Sequence, residues 1–179
     1  MAEAFINQVN RAVGIVTSSS NASIGVGLTW MSGISTAHVA IHDIVDNANF
    51  IAGTKVTQVG VSSVQLARAS TNTVAATASN VSFLGPTTSY SSASETKSIL
   101  IGGTFANNTA NSVNLTVTVY DNSAETESQL AAKIPVPTGS SFVISDAGKT
   151  VLEGDDELRV YCDTENAIDV NLSILKGVS

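Results

Sequence analysis

The sequence predicts an all-β protein, an antiparallel β-sandwich or jelly roll that carries a second, smaller β module. Apolar and polar residues alternate along six short runs of the second half, and turn-forming residues separate those runs. Charged residues make up only 13% of the chain, and Ser, Thr, Asn and Gly stand in their place. That composition suits strands better than long charged helices.

The clearest strand is SVNLTVTVY at 112–120, where Val113, Leu115, Val117 and Val119 share one face and polar residues share the other. In SQLAAKIPV, the same alternation predicts that Ala132 points inward. A bend or bulge is expected where KSILIGGTF reaches its two glycines. The full set of strands predicted in this half is KSILIGGTF (97–105), SVNLTVTVY (112–120), SQLAAKIPV (128–136), SSFVISD (140–146), ELRVYC (157–162) and AIDVNLSIL (167–175).

Residues 24–85 alternate more weakly and are interpreted as a small β module. The run SIGVGLTW predicts one strand that ends at Trp30. Further short strands are predicted in AHVAIHDIV, KVTQVGVSSVQLA and NVSFLG, whereas GPTTSYSSASE at 85–95 is typical of a linker.

The chain start, AFINQVNRAVGIV, fits either a short helix or an extended arm. The resulting division is an N-terminal arm or strand at 1–23 that joins the sandwich, an inserted module at 24–85 and the sandwich domain at 86–179.

The charge is unevenly distributed along the chain. Residues 1–119 carry four acids and four bases, so the whole net charge of −7 lies in residues 120–179. No cluster of Lys or Arg offers a footprint for phosphates, which argues against nucleic acid as a partner. We expect the acidic turns of residues 120–179 to stay solvated and residues 1–119 to provide the attachment surface.

The densest acidic run, Glu153 to Glu157, lies between two predicted strands. Gly154 and the two Asp residues are turn formers, so a solvated turn is the favoured interpretation. A loose divalent-ion site is the alternative, although the twelve-residue calcium-loop pattern is missing. Catalytic carboxylate pairs need burial or a neighbouring charge, and the run predicts neither.

Other reactive residues give no positive sign of an enzyme, a metal site or a cofactor site. His38 and His42 are four apart in a segment predicted as a strand, where such positions lie about 13 Å from each other. Cys162 continues the alternation of Leu158 and Val160, the residues predicted to point inward, which predicts a buried, inert thiol. A single cysteine suits folding in a reducing cytoplasm, and no run is apolar enough to predict a membrane span or a secretory signal.

Three segments carry a family resemblance: AFINQVNRAVG, TSYSSASETKSILIGGTFANNTANSVNLTVTVYD and KIPVPTGSSFVISDAGKTVLEGDDELRVYCDTENAIDVNLSIL. They resemble a family of small β-sandwich virion structural proteins of tailed bacteriophages. The shared features are a FIN-x-V start, an ANxT run that leads into alternating apolar residues, PVPxGSS and K-x-VLE. The family pattern continues as VLExGD, whereas this chain reads VLEGDD. Residues 24–85 depart from the short members of that family and are interpreted as an insertion.

The resemblance implies a non-enzymatic virion protein, and within virions we favour a head decoration (cement) protein that binds the capsid lattice and stabilises the particle. A neck, tail or fibre component is the alternative, and a carbohydrate-binding adhesion module is a further one. The implied partners are other copies of the chain, with a trimer favoured, and the major capsid protein or neck and tail proteins; no nucleic acid or membrane is implied. Large apolar residues in weakly patterned segments often serve interfaces, so the interface candidates are Phe5, Ile6, Trp30 and Phe50.

Overall fold

The computed structural model describes residues 3–71, 76–145 and 149–178, and within them the chain forms strands and turns. The all-β prediction is confirmed. All the strand pairs among these described residues are antiparallel. The strands are β1 (Ala4–Asn10), β2 (Ile15–Ile24), β3 (Trp30–Ser32), β4 (Ile44–Asp46), β5 (Val56–Val59), β6 (Ser63–Leu66), β7 (Ala76–Leu84), β8 (Thr87–Ser91), β9 (Lys97–Asn107), β10 (Val113–Asp121), β11 (Thr126–Val136), β12 (Ser141–Ile144), β13 (Thr150–Leu152), β14 (Glu157–Cys162) and β15 (Ile168–Val178).

The larger unit is a sandwich built from residues 1–13, 87–162 and 166–179. Its five-stranded sheet has the order β1-β15-β9-β12, with the short β13 also pairing with β9. Its four-stranded sheet has the order β11-β10-β14-β8. The core contains buried residues from both sheets, including Leu100 and Phe105 of β9, Val117 of β10, Leu158 of β14 and Leu172 of β15.

The predicted alternation is confirmed most clearly on β15. Its inward residues Ile168, Val170, Leu172 and Ile174 are at most 1% exposed. Cys162 at the end of β14 is buried, as predicted. The expected irregularity in β9 is also present, since its register with β15 shifts between the pairs Ser173–Gly102 and Ile174–Leu100.

The prediction for β11 is wrong at Ala132, which is exposed while Ala131 is buried. Leu115 pairs with Ile134 and Val117 pairs with Ala131, so β11 uses one more residue than β10 over this stretch. Lys133 takes a positive φ of 51° at that point. This bulge turns Ala131 inward in place of Ala132, and a second register shift follows between Val117 and Thr118. The alternation of residues in the sequence did not predict either shift.

The predicted linker at 85–95 is also wrong, because β8 lies within it and forms the edge of the four-stranded sheet beside β14. Tyr90 packs against the core, and its hydroxyl lies 2.8 Å from Ser98 Oγ. Ser92 Oγ lies 3.0 Å from the same Ser98 oxygen. These hydroxyl pairs satisfy the side chains of Tyr90, Ser92 and Ser98. The buried Ser89 Oγ of β8 has no hydrogen-bond partner among the described residues. β8 has few large apolar residues, so its sequence resembles a linker.

The first residues form a strand, which excludes the helical alternative. β1 pairs along its whole length with β15, from Ala4 opposite Lys176 to Asn10 opposite Val170. Ile6 lies on the inward side and packs against the sandwich core. The spacing of four that suggested a helix also places Phe5 and Val9 on one face of a strand, where both are exposed.

The smaller unit comprises residues 14–86 together with 163–165, so its start differs from the predicted boundary between 23 and 24. Its six-stranded sheet has the order β4-β7-β2-β3-β6-β5. β2 belongs here because it pairs with β7 from Ile15 opposite Leu84 onward. The serine-rich sequence of β2 resembles a flexible connection, and only its pairing with β7 shows that it is a strand.

Three strand predictions in the smaller unit need correction. SIGVGLTW is not one strand, because a turn around Gly27, with φ 63°, separates β2 from β3. AHVAIHDIV contains turns in which His38 and His42 take positive φ, and only Ile44–Asp46 forms a strand. KVTQVGVSSVQLA contains the hairpin of β5 and β6.

Asp43 is the buried acid of the smaller unit, with 5% of its surface exposed. Its Oδ2 accepts a hydrogen bond from the backbone N–H of Ala40 at 2.8 Å. Gly85 packs directly against the carboxylate, where a side chain would collide with it. Burial raises the pKa of Asp43, and the Ala40 hydrogen bond lowers it only in part.

Substitution of Leu172 by Ala should lower the free energy of unfolding by about 2–5 kcal/mol, because the change leaves a cavity between the two sheets. Leu130→Ala is the matched control, since Leu130 is 38% exposed on β11. Its effect should be near the ±0.5 kcal/mol typical of surface positions. Denaturant titration followed by circular dichroism measures both, and equal losses would contradict the assigned core.

Asp43→Asn should stabilise the protein at neutral pH. A raised folded-state pKa means that Asp43 contributes stability below the unfolded pKa of about 3.9, and this is lost as pH rises through the folded pKa. Asn keeps an oxygen for the Ala40 N–H and cannot ionise. Denaturant titrations from pH 7 to 3.5 should therefore show the advantage of the variant shrinking as the pH falls. An advantage that does not change with pH would refute the account, and Asp43→Ala, which lacks the acceptor, serves as the control.

Candidate interaction surface

The four interface candidates occupy different environments. Phe5 is 78% exposed on β1 and Trp30 is 47% exposed on β3. Ile6 is half-buried and packs on the sandwich core. Phe50 is only 8% exposed and belongs to the core of the smaller unit, so its selection as an interface residue is wrong.

A local turn explains the burial of Phe50. The N–H of Phe50 donates to the carbonyl of Asn47 at 3.1 Å, and the N–H of Asn49 donates to the side-chain oxygen of Asn47 at 2.9 Å. This Asx-type turn reverses the chain after β4. The Phe50 side chain is thereby buried with the core residues of the module, and not presented to solvent.

An apolar row crosses the outer face of the five-stranded sheet. Phe5 on β1 pairs with Leu175 on β15, Leu175 pairs with Ile99 on β9, and Ile99 pairs with Val151 on β13. Val151 is 51% exposed, and Leu175 and Ile99 are partly exposed. We call these four residues the apolar row. Adjacent side chains in such a row lie about 5 Å apart and present one continuous apolar strip.

Among the described residues, the rest of this outer face is uncharged and carries polar side chains together with Val9 and Val143, which are 62% and 56% exposed. One register row joins Val9, Asn171, Thr104 and Val143, and another joins Asn7, Ser173 and Gly102. Charged residues border these rows at the strand ends: Lys97, which is ion-paired with Glu153 at 3.0 Å, and Asp169, which lies 3.8 Å from Arg11. An uncharged sheet face with an exposed apolar row has the composition of an interface core surrounded by polar residues.

The five-stranded sheet also corrects the predicted division between residues 1–119 and 120–179. β15, from the acidic part of the chain, lies between β1 and β9 from the neutral part. The low charge is therefore a property of a sheet face and not of the first two thirds of the chain.

Sequence reasoning missed Leu175, Ile99 and Val151, although β9 contained a usable signal. Residues 99–101 read Ile-Leu-Ile, so apolar side chains occupy both faces of the strand. A strand that is apolar on both faces is typical of one covered on both sides. Val151 could not be found this way, because only the pairing of β13 with β9 places it in the row.

Trp30 belongs to a different surface, on the sheet of the smaller unit. It pairs with Gln65 of β6, and Gln65 pairs with Gln58 of β5. The surface near it in sequence includes Leu28, which is 54% exposed. One aromatic ring beside two amides offers a modest contact surface for stacking against a partner.

The acidic turn between β13 and β14 is built around Asp156, which is 5% exposed. Its Oδ2 accepts the N–H of Glu153 at 2.9 Å and its Oδ1 accepts the N–H of Asn122 at 3.1 Å. The turn is thereby tied to the hairpin between β10 and β11. Glu153 and Asp155 are exposed, as a solvated turn predicts, but Asp156 is a buried structural acceptor.

Two further acids near this end have lowered pKa values. Hydrogen bonds from the Ser123 hydroxyl and from the Ala124 and Ser123 N–H groups stabilise ionised Asp121. Burial acts to raise the pKa of Glu157, but hydrogen bonds from Thr88 and Arg159 outweigh it, so the net change is downward. These carboxylates stay ionised to low pH and keep this end of the sandwich hydrated.

A polar groove of about 470 Å³ in the smaller unit is lined by serines and Glu165. Ser82 Oγ donates to Glu165 Oε1 at 3.0 Å and lies 3.0 Å from Ser18 Oγ. Neither histidine lines the groove, so its serines have no imidazole base beside them. Across residues 3–71, 76–145 and 149–178 there is no group of three or more His, Cys, Asp or Glu side chains arranged to hold a metal ion.

No family model matches the chain, and no curated protein matches it. A solved structure of Arthrobacter globiformis isomalto-dextranase complexed with panose aligns with 98% of this chain and 35% of its own length. The identity is 11% and the TM-score is 0.23, too low to indicate a shared fold or activity. In the described part of the chain no helix has the length and hydropathy needed to span a membrane.

Asp156→Ala should cost about 1–3 kcal/mol for each buried donor left unsatisfied. Glu153→Ala is the matched control from the same turn, because it removes only an exposed ion pair, worth at most about 1 kcal/mol. Thermal and denaturant unfolding measure both variants, and equal effects would contradict the buried acceptor role.

Calcium should leave the melting temperature of the wild-type protein unchanged, since both oxygens of Asp156 already accept backbone N–H groups. A rise in melting temperature with millimolar calcium that is lost in Asp156→Ala would instead support the divalent-ion alternative for this turn.

Proposed function

We propose that the protein is a structural component of a bacteriophage particle, a head decoration protein that binds the capsid lattice without catalysing a reaction. The observation that carries the proposal is the uncharged outer face of the five-stranded sheet with its apolar row. The family resemblance supports it, because the three segments that resemble virion proteins contribute strands to this one sandwich.

The proposed mechanism is burial of surface repeated over many copies. Apolar area removed from water contributes about 25 cal/mol per Å², so each covered row adds a modest free energy. Contacts to neighbouring subunits and to other copies act together and raise the overall affinity far above that of one contact. A layer bound in this way opposes the separation of capsid subunits under internal pressure.

The distribution of charge supports one orientation. Asp121, Glu125 and Glu127 lie in or beside the hairpin between β10 and β11, and β11 is an edge strand of the four-stranded sheet. Ionised carboxylates are costly to desolvate, so we place this hairpin toward solvent and the apolar row toward the capsid.

Gold-labelled protein added to particles that lack it should decorate the heads, as seen by negative-stain electron microscopy. Label confined to the neck, tail or fibres would support the alternative virion position. Label on neither structure would overturn the proposal.

Binding should persist at 1 M salt and fall in Val151→Ala and Ile99→Ala, because apolar burial is not screened whereas charge attraction is. Trp30→Ala is the matched control on the smaller unit and should bind as wild type does. Co-sedimentation with particles at 0.05 and 1 M salt measures these affinities. If binding is lost at 1 M salt and neither Val151→Ala nor Ile99→Ala weakens it, the outer face of the five-stranded sheet is not the contact surface. If only Trp30→Ala weakens binding, the contact surface lies on the smaller unit.

A further inference from the structure

β1 is an edge strand with none of the usual features that prevent pairing. Within the described residues it pairs with β15 on one side only. Its seven residues, AFINQVN, contain no charge and no proline, and its register with β15 runs without a bulge. Exposed edges of this kind are templates for another strand, and soluble proteins generally block or cover them.

The other edges of the sandwich are blocked or short. β11 carries Glu127, Pro135 and the bulge at Lys133, three features that oppose pairing. On the far side of β9 the edge is split between β12 and β13, which have four and three residues. β8 has five residues and a register shift against β14. β1 is therefore the long, regular, uncharged edge of this sandwich.

The outward residues of β1 and its flanks are self-complementary. Alternate positions from residue 3 to residue 11 are exposed and share the outer face: Glu3, Phe5, Asn7, Val9 and Arg11. If a second copy pairs antiparallel with Asn7 opposite Asn7, then Phe5 faces Val9 of the other copy. The same register places Glu3 opposite Arg11, and two-fold symmetry repeats each pair.

We propose that two copies of this chain associate through β1, antiparallel and centred on Asn7, so that two five-stranded sheets become one continuous sheet. The pairing places Phe5 of each copy beside Val9 of the other on the outer face, so it covers one flank of two side chains that are 78% and 62% exposed in the single chain. It joins the charged flanks as Glu3–Arg11 pairs beside Asp169, which already lies 3.8 Å from Arg11. A parallel arrangement would place Glu3 against Glu3 and Arg11 against Arg11.

This association does not depend on the proposed virion function, because it is measurable in the purified protein. A two-fold contact yields dimers, whereas the trimer favoured from the sequence would need a different surface. If dimers form and particles are not bound, the proposed function fails alone; if particles are decorated by monomers, the dimer proposal fails alone.

Charge exchange tests the register. Glu3→Lys and Arg11→Glu each place like charges opposite one another twice, and the dimer Kd should rise about tenfold in each. The double variant Glu3→Lys/Arg11→Glu restores both pairs between the copies and should recover most of the lost association, although it still lacks the Arg11–Asp169 contact within each copy. An equimolar mixture of the two single variants should form mixed dimers in preference to either homodimer, because each substituted position then faces the opposite charge on the other copy. Sedimentation equilibrium and native mass spectrometry measure these populations.

Cysteine placement tests the centre of the pairing. Asn7→Cys brings two thiols opposite each other, with Cα atoms about 4.5–5.5 Å apart, within disulfide reach. Val9→Cys is the matched control, since the two positions lie about 13 Å apart along the pair. The native Cys162 is buried, so oxidation should link Asn7→Cys and leave Val9→Cys monomeric on a non-reducing gel.

Three results would overturn the proposal. The wild-type protein could stay monomeric at high concentration, or the dimer Kd could be the same in the single charge variants as in the wild type. The third result is equal cross-linking of Asn7→Cys and Val9→Cys. Loss of folding in a variant is detected by its circular dichroism spectrum. The double charge variant, which retains both residue types at exposed positions, keeps the test valid if a single variant misfolds.

Discussion

The pairing of β15 on both of its sides is the constraint on which the sandwich depends. β15 joins the first strand of the chain to β9, so three distant segments form one sheet. Its inward side buries Ile168, Val170, Leu172 and Ile174, which closes the core against the four-stranded sheet. Because side chains alternate along a strand, the same pairing fixes Leu175 on the outer face. The register of β15 therefore determines both which of its residues enter the core and which lie on the proposed contact surface.

The sequence was sufficient where apolar residues on one face of a strand alternate with polar residues on the other. It predicted β10, β14 and β15 with the correct inward residues, because a period of two is unambiguous there. It failed at β11, where the bulge at Lys133 changed the parity, and at β2 and β8, whose serines and threonines resemble connections. Those strands form because they pair with distant strands of the same sheet. The sequence of a single strand does not reveal such long-range pairing.

The surface was harder to predict than the core for a related reason. Large apolar residues in weak patterns include both exposed anchors such as Phe5 and core residues such as Phe50, and composition alone does not separate them. The apolar row exists only because four strands bring Phe5, Leu175, Ile99 and Val151 side by side. Likewise, Asp156 lies in an acidic run typical of a solvated turn, yet two backbone donors hold it in a buried position.

Cryo-electron microscopy of particles that carry the protein would show which face of the sandwich is covered. We expect the apolar row to lie against a neighbouring subunit and the hairpin between β10 and β11 to face solvent. A reconstruction in which the row faces solvent while that acidic hairpin is buried would be incompatible with the proposed attachment.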